Sequence, residues 1–217
     1  MKPIEVPDNS LVLDTDVPLS DAVLEEVAAY RDSEGRSVFA IIRYVSLYKI
    51  NPVWDISLAE AGRILAHVPA LGLVQHCLAA QPPAKGWTAA PKNGALKGAI
   101  AKQHADLVGY PSDSHLSYDD EDVSSGDIAG EISQWCAAIA RPPCLYVGFA
   151  PGLSPDELWE LPEIHIYWGA AGNWGPSTCG VAMRQHYPEI HIGHVPFDWN
   201  LATADKRGRR LVLATAG

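Results

Sequence analysis

The stretch His115-Leu116-Ser117-Tyr118-Asp119-Asp120-Glu121-Asp122-Val123 begins like a strand and ends in four consecutive acids. Side chains alternate faces along a strand, so Asp119 and Glu121 share one face while Asp120 and Asp122 take the other. Two carboxylates two residues apart at a strand end suit general acid–base chemistry. Their repulsion pushes one pKa up and leaves the pair with one proton near neutral pH. The same stretch also reads as a solvated acidic loop or a cation site. Its surroundings in the chain decide what architecture it belongs to.

Outward from it, apolar strand-like segments alternate with helical ones. Before it come Ser10–Leu13 running into Asp14-Thr15-Asp16, the nearly continuous apolar run Ser37–Arg43, and Leu71–His76. After it come Cys144–Gly148, Ile164–Trp168, Gly180–His186 and a short eighth segment, Gly193–Asp198. Helices are expected between them: Val23–Arg31 behind a Ser20 cap, Leu58–His67 behind Ser57 with Glu60 completing a capping box, and Gly94–Val108 ended by Gly109. Two more are expected, from Ser124 or Ser125 to Ala140, and a short one opened by Ser154-Pro155-Asp156-Glu157. Gln81–Asn93 reads as a long Pro- and Gly-rich loop, and Leu211–Leu213 as a terminal strand or a closing segment. Strands alternating with helices imply parallel βαβ units, and eight strands in this length predict a single-domain α/β protein, a (β/α)8 TIM barrel spanning 1–217. A doubly wound open sheet is the competing architecture. It is weakened because no Gly-rich phosphate fingerprint follows the first strand.

Composition narrows the partners. The 217 residues carry 16 Lys and Arg against 26 Asp and Glu, a net charge of −10, which disfavours nucleic acid and anionic membrane surfaces. No apolar run approaches the roughly 20 residues of a membrane span, so no membrane insertion is expected. The start of the chain lacks an apolar signal-peptide core. The expectation is a cytoplasmic protein unless a phage-type or non-classical route releases it. Cys77, Cys136, Cys144 and Cys179 are widely spaced and read as buried thiols. No two histidines share a tight ligand spacing, so no metal is expected. The sequence also lacks a Gly-x-Ser-x-Gly elbow, which argues against acyl transfer.

In a barrel of this kind functional groups gather at the carboxyl ends of the strands. Those ends carry Asp14 and Asp16, Arg43 and Tyr44, Gln75 and His76, Asp119 and Glu121, Tyr167 and Trp168, Gln185 and His186, and Asp198. Acids for a glycosidic bond and rings for pyranose faces equip a carbohydrate cleft. Trp87, in the loop after the third strand, is a further candidate stacking platform. Arg43 is a candidate partner for the acids.

Several short motifs, in order, carry a resemblance over nearly the whole chain. Leu13–Ser20, Arg43-Tyr44-Val45-Ser46, Asp55–Glu60, Gly72–His76, Leu116–Glu121, Leu145–Gly148, Ile166-Tyr167-Trp168 and Phe197-Asp198-Trp199-Asn200 together resemble the glycoside-hydrolase-like domain of unknown function 1906. That TIM-barrel family is similar to the family 25 glycoside hydrolases, the lysozyme-type muramidases. The resemblance implies hydrolysis of a cell-wall polysaccharide, peptidoglycan, with no cofactor. It implies Glu121 as general acid, Asp119 as its partner carboxylate, and Asp14 and Asp198 as supporting acids. Arg43, Tyr44, Gln75, Trp87, Tyr167, Trp168 and Gln185 would then contact the glycan. The rival reading is a catalytically silent carbohydrate-binding barrel, and a third is a divalent-cation-dependent enzyme using the acids as oxygen ligands.

Overall fold

A computed structural model describes residues 1–47, 51, 53–75, 88–119, 125–148, 153–172 and 179–217. Glu121, Trp87 and His76 lie outside the described residues, as do Cys77 and most of the loop expected at 81–93. Strands and helices are numbered in chain order. They are β1 (Lys2–Glu5), β2 (Leu11–Asp14), α1 (Asp21–Ala29), β3 (Val38–Val45), α2 (Leu58–His67), β4 (Ala70–Gln75), β5 (Thr88–Ala89), α3 (Pro91–Leu107) and β6 (Leu116–Asp119). Then follow β7 (Ser125–Gly126), α4 (Ile128–Ile139), β8 (Pro143–Val147), α5 (Pro155–Trp159), β9 (Ile166–Gly169), β10 (Met183–Ile192), β11 (Val195–Ala202) and β12 (Val212–Thr215).

Eight of the described strands close into a barrel in the order β4-β3-β2-β11-β10-β9-β8-β6, and β6 pairs back to β4. From β2 to β9 every barrel pairing along the chain is parallel, and a helix separates each strand from the next. The regular (β/α)8 expectation fails beyond that point. β10 continues parallel to β9, but β11 returns as a hairpin and runs antiparallel to both β10 and β2. A two-residue connection can join antiparallel neighbours, whereas a parallel crossover needs a dozen residues or more. The Gly193-His194 turn, with Gly193 at φ 61°, leaves room only for the hairpin. The fold is therefore an α/β barrel of mixed strands rather than a regular TIM barrel.

The strands sort the side chains into two cores. Val12, Ala40, Ile42, Ala70, Val74, Cys144, Ile166 and Met183 fill the barrel interior. Their neighbours one residue away, such as Leu11, Leu13, Ile41, Leu71, Leu73 and Leu145, face the helices. Space inside is tight: a Cβ on Gly72 would lie 2.7 Å from Ile42 Cγ1. The tail does not close the barrel wall. Leu211 and Leu213 enter the interior core, and β12 pairs with β1 and with β4 only at Leu71. His115 holds this tail against the amino end of β6, its backbone N–H bonding Val212 O and its Nδ1 accepting from Val212 N, both at 2.8 Å. Burial, reinforced by the neighbouring His165, pushes the His115 imidazole down to about 3, which keeps Nδ1 free to accept.

The serine caps expected at Ser20, Ser57 and Ser154 hold. The expected start of α4 does not: it opens at Ile128 behind Asp127, whose side chain accepts from Gly130 N, and not at Ser124 or Ser125; Ser125 lies in β7. Ser20 caps α1 through Val23 N, and Ser57 caps α2 through Glu60 N. The Glu60 side chain does not return to complete a box; it goes to Arg43 and to Leu19 N. α3 starts three residues earlier than its glycines suggest, at Pro91, a residue suited to a first helical position. Those glycines serve contact with α4. A Cβ on Gly94 would fall 1.9 Å from Glu131 O, and one on Gly98 would fall 2.7 Å from Trp135 O. This approach buries an ion pair, Lys97 Nζ to Glu131 Oε1 at 2.6 Å, with Tyr118 OH bonded to both. Glu131 Oε2 also accepts from the N–H of Ala90, a cap residue with no side-chain acceptor of its own.

Two glycine substitutions should therefore move stability in opposite directions. Gly94→Ala drives a methyl into backbone and should cost about 3 kcal/mol or more. Gly62→Ala, on the exposed side of α2 with nothing within 4 Å, should gain about 0.5–1 kcal/mol. Urea denaturation of both variants at neutral pH checks the pair. An unchanged midpoint for Gly94→Ala would show that α3 and α4 do not approach this closely.

Candidate functional site

Inward-facing residues at the carboxyl end of the barrel line a pocket of about 240 Å³. Asp14 comes from the end of β2 and Asp119 from the end of β6. Asp198 sits beside Asp14 by register, on the antiparallel strand β11. Tyr44, Trp168 and Gln185 complete the part of the lining expected from the sequence, and Tyr146, Tyr187, Glu189 and Val74 add to it. No described residue of this lining is basic.

Two hydrogen-bonded relays hold two of the acids. In the first, Trp168 Nε1 donates to Asn200 Oδ1 at 2.8 Å, and Asn200 Nδ2 donates to Asp14 Oδ2 at 2.7 Å. An indole N–H can only donate, so it fixes which end of the Asn200 amide is oxygen and aims the NH2 at Asp14. In the second, Tyr146 OH donates to Gln185 Oε1, and the Gln185 side chain bonds Asp198. The two aromatic origins touch edge to face, with ring centroids 4.6 Å apart. Each relay runs from an aromatic donor across an intervening strand to an amide, and from the amide to a carboxylate.

The Asp198 carboxyl is pushed above its ordinary range. Burial is the main cause, and the charges of Glu189 and Asp16 add to it, while the bond from Gln185 opposes it. A carboxyl pushed upward beside other acids is the kind of difference that separates acid from base roles in one site.

Three residues expected to meet substrate lie on the opposite face of their strands. Arg43 is fully buried behind β3, bonded through Nε to Glu60 at 2.9 Å and through its other nitrogens to the carbonyls of Thr15 and Trp54. Gln75 is buried between β4 and the helices, its amide joining Ser46 O, Lys97 O and Trp135 Nε1. Tyr167 points outward and donates to Leu158 O. All three are polar groups satisfied inside the protein, and none lines the pocket. Sequence reasoning missed Tyr146, Asn200, Tyr187 and Glu189. Tyr146 had a findable signal, since it stands at the same inward phase of β8 that Trp168 holds in β9.

Among the described residues no group of three or more His, Cys, Asp or Glu is arranged to hold a metal ion. Cys136, Cys144 and Cys179 are free thiols, Cys144 and Cys179 buried as expected, and burial raises both; Cys144 is pushed up to about 12. No described helix is long and apolar enough to cross a membrane.

Fold and pocket together define an α/β barrel with an acid- and aromatic-lined mouth. No protein-family model matches the sequence, and no curated protein does. Solved structures do. An uncharacterized protein of B. stearothermophilus aligns over 91% of this chain and 97% of its own, with a TM-score of 0.65 and 19% identity. The Tat-secreted protein Rv2525c of Mycobacterium tuberculosis, solved with L-tartrate, aligns over 90% and 96%, with a TM-score of 0.65 and 17% identity. The catalytic domain of endolysin ply40 from bacteriophage P40 of Listeria monocytogenes aligns over 90% and 93%, with a TM-score of 0.53 and 18% identity. At these identities the likeness is one of fold. It is coarser than the resemblance to domain 1906 and the family 25 muramidases, and it includes one barrel that serves a phage endolysin.

The raised Asp198 gives a stability test. A carboxyl whose pKa is higher in the fold than in the unfolded chain favours the fold at low pH, and that advantage is lost as pH rises through the folded value. At neutral pH the ionised form opposes folding. Asp198→Asn should therefore melt higher than wild type at pH 7, with the gain fading as pH falls below the ordinary carboxylate range. Melting curves from pH 3 to pH 8 check the sign; a variant that melts lower throughout would mean that Asp198 carries no unfavourable charge.

Proposed function

We propose that this protein is a glycoside hydrolase acting on a cell-wall polysaccharide, peptidoglycan in the manner of a muramidase. The observation that carries the reading is one pocket in which Asp14, Asp119 and Asp198, distant in sequence, meet aromatic walls at the carboxyl end of a barrel. Support of a second kind comes from the shared fold with an endolysin catalytic domain.

On this reading Glu121 delivers the proton to the leaving glycosidic oxygen. The assignment rests on the Asp119-x-Glu121 motif alone. Cleavage builds positive charge on the sugar ring, and fixed carboxylates facing that ring stabilise it. Asp119 and Asp14 are assigned this task. The Trp168–Asn200 relay holds Asp14 in one orientation, so no reorganisation is needed as the charge develops. Asp198, whose carboxyl burial pushes upward, is assigned to hydrogen-bond a sugar hydroxyl. Tyr44, Tyr146 and Trp168 give the apolar faces of a pyranose something to pack against.

The test is clearance of purified cell walls together with release of reducing ends, using wild type, Glu121→Gln and Asp119→Asn. Loss of a positioned acid typically costs about 10²–10⁴-fold in rate, and Glu121→Gln is expected in that range with an unchanged melting temperature. A Glu121→Gln variant that clears walls as fast as wild type would remove Glu121 from the role. Wild type that binds glycan yet releases no reducing ends would favour a silent carbohydrate-binding barrel.

A further inference from the structure

The β10–β11 hairpin carries a device that the pocket's acids do not explain. The two strands pair residue for residue from Met183 to His186 and again from Ile190 to Ile192, and the register shifts between. The bulged segment is Tyr187-Pro188-Glu189. Bulges beside functional sites re-aim side chains that a regular ladder would not present. Here Tyr187 and Glu189, two residues apart, both turn to the pocket.

The bulge is braced from behind. His186, directly opposite Trp199 in register, stacks on its ring at 4.4 Å between centroids. Trp199 Nε1 donates to Pro188 O at 3.0 Å. A carbonyl of the bulge is thus tied to the adjacent strand. Glu189 makes an outer contact, 3.7 Å to His191 Nε2, and its charge acts on Asp198. Tyr187 is 71% exposed, the most exposed of the large hydrophobic side chains described, although it belongs to a pocket wall. Single exposed apolar residues are common and need no reason. A ring open to solvent on a bulge whose backbone is braced at a pocket mouth is different: it presents a flat apolar face to whatever extends out of the pocket.

We propose that the Tyr187–Glu189 bulge is a saccharide grip at the pocket rim, with the Tyr187 ring stacking on a sugar ring that extends out of the pocket and the Glu189 carboxylate accepting from hydroxyl or amide N–H groups of the same sugar. The inference rests on the glycan reading above and extends it to a subsite outside the acids. The grip requires carbohydrate binding, not cleavage. It binds ground state and transition state alike, so its loss appears in KM rather than in kcat.

The experiment compares wild type with Tyr187→Ala and Tyr187→Trp. Binding is measured by calorimetry with the β-1,4-linked tetramer of N-acetylglucosamine and by co-sedimentation with purified peptidoglycan sacculi. Expected is an affinity about three- to tenfold weaker for Tyr187→Ala, the scale of one aromatic stacking contact, with melting unchanged and with Tyr187→Trp retaining affinity. If the walls are cleaved, Tyr187→Ala raises KM and leaves kcat near wild type. Equal binding by Tyr187→Ala and wild type overturns the grip, as does a wild type that binds neither probe. Wild-type binding without release of reducing ends sinks the hydrolase reading alone, and weakened binding by Tyr187→Ala then still supports the grip.

Discussion

The pleat of a closed barrel is the constraint on which the rest depends. Once eight strands close, each residue of a strand faces either the interior or the helices, and the assignment alternates without exception along a regular strand. At the carboxyl rim this decides between neighbours of similar chemistry. Tyr44 reaches the pocket and Arg43 does not; Val74 does and Gln75 does not; Trp168 does and Tyr167 does not. The outward members are not idle. Arg43 ties the loops after β2 and β3 to α2, and Gln75 ties β4 to α3 and α4. Pocket and sleeve are built from adjacent residues, so a change at one is felt by the other through the same peptide unit.

This alternation also explains what was legible in the sequence. Strand ends were readable because apolar runs stop at polar residues, and Asp14, Asp119, Tyr44, Trp168, Gln185 and Asp198 do line one pocket. Caps were readable because Ser20, Ser57 and Ser154 act through contacts three residues away. Phase was harder to read. A polar residue at a strand end looks the same whether it faces a pocket or is buried with its hydrogen bonds satisfied, and Arg43 and Gln75 are of the second kind. Their partners, Glu60 at 17 residues' remove and Trp135 at 60, belong to tertiary structure and leave no local pattern. For the same reason Gly94 reads as a helix start and Gly98 as an ordinary residue inside the helix, when their role is to let α4 come close enough to bury Lys97 against Glu131.

The paired relays show what the interior alternation makes available. Tyr146 and Trp168 stand side by side in register on β8 and β9, and Gln185 and Asn200 stand side by side on β10 and β11. Aromatic donors on one pair of strands thereby meet amides on the next, and each amide faces an acid. An amide between two such partners has both ends committed, which removes the freedom to flip. The amide bonds fix the orientation of Asp14 and act on Asp198 within the pocket.

The antiparallel strand β11 completes this arrangement, and its direction matters. In a regular parallel barrel the eighth strand would end at the rim, and an acid there would be its last residue. Reading Gly193–Asp198 as such a strand put Asp198 at the right rim for the wrong reason. In the hairpin, the chain arrives at that rim with β10, turns above it and descends, so Asp198 lies in the middle of β11 with Asn200 two residues deeper on the same inward face. A strand that ended at the rim would have no residue beyond its terminal acid to form the bulge side of a hairpin. Descending from above, the same strand supplies Trp199 to brace the bulge outside, Asp198 to the pocket and Asn200 to orient Asp14 beneath it. Three consecutive side chains thus serve the rim, the acid and its support, and only a strand crossing the rim can do all three.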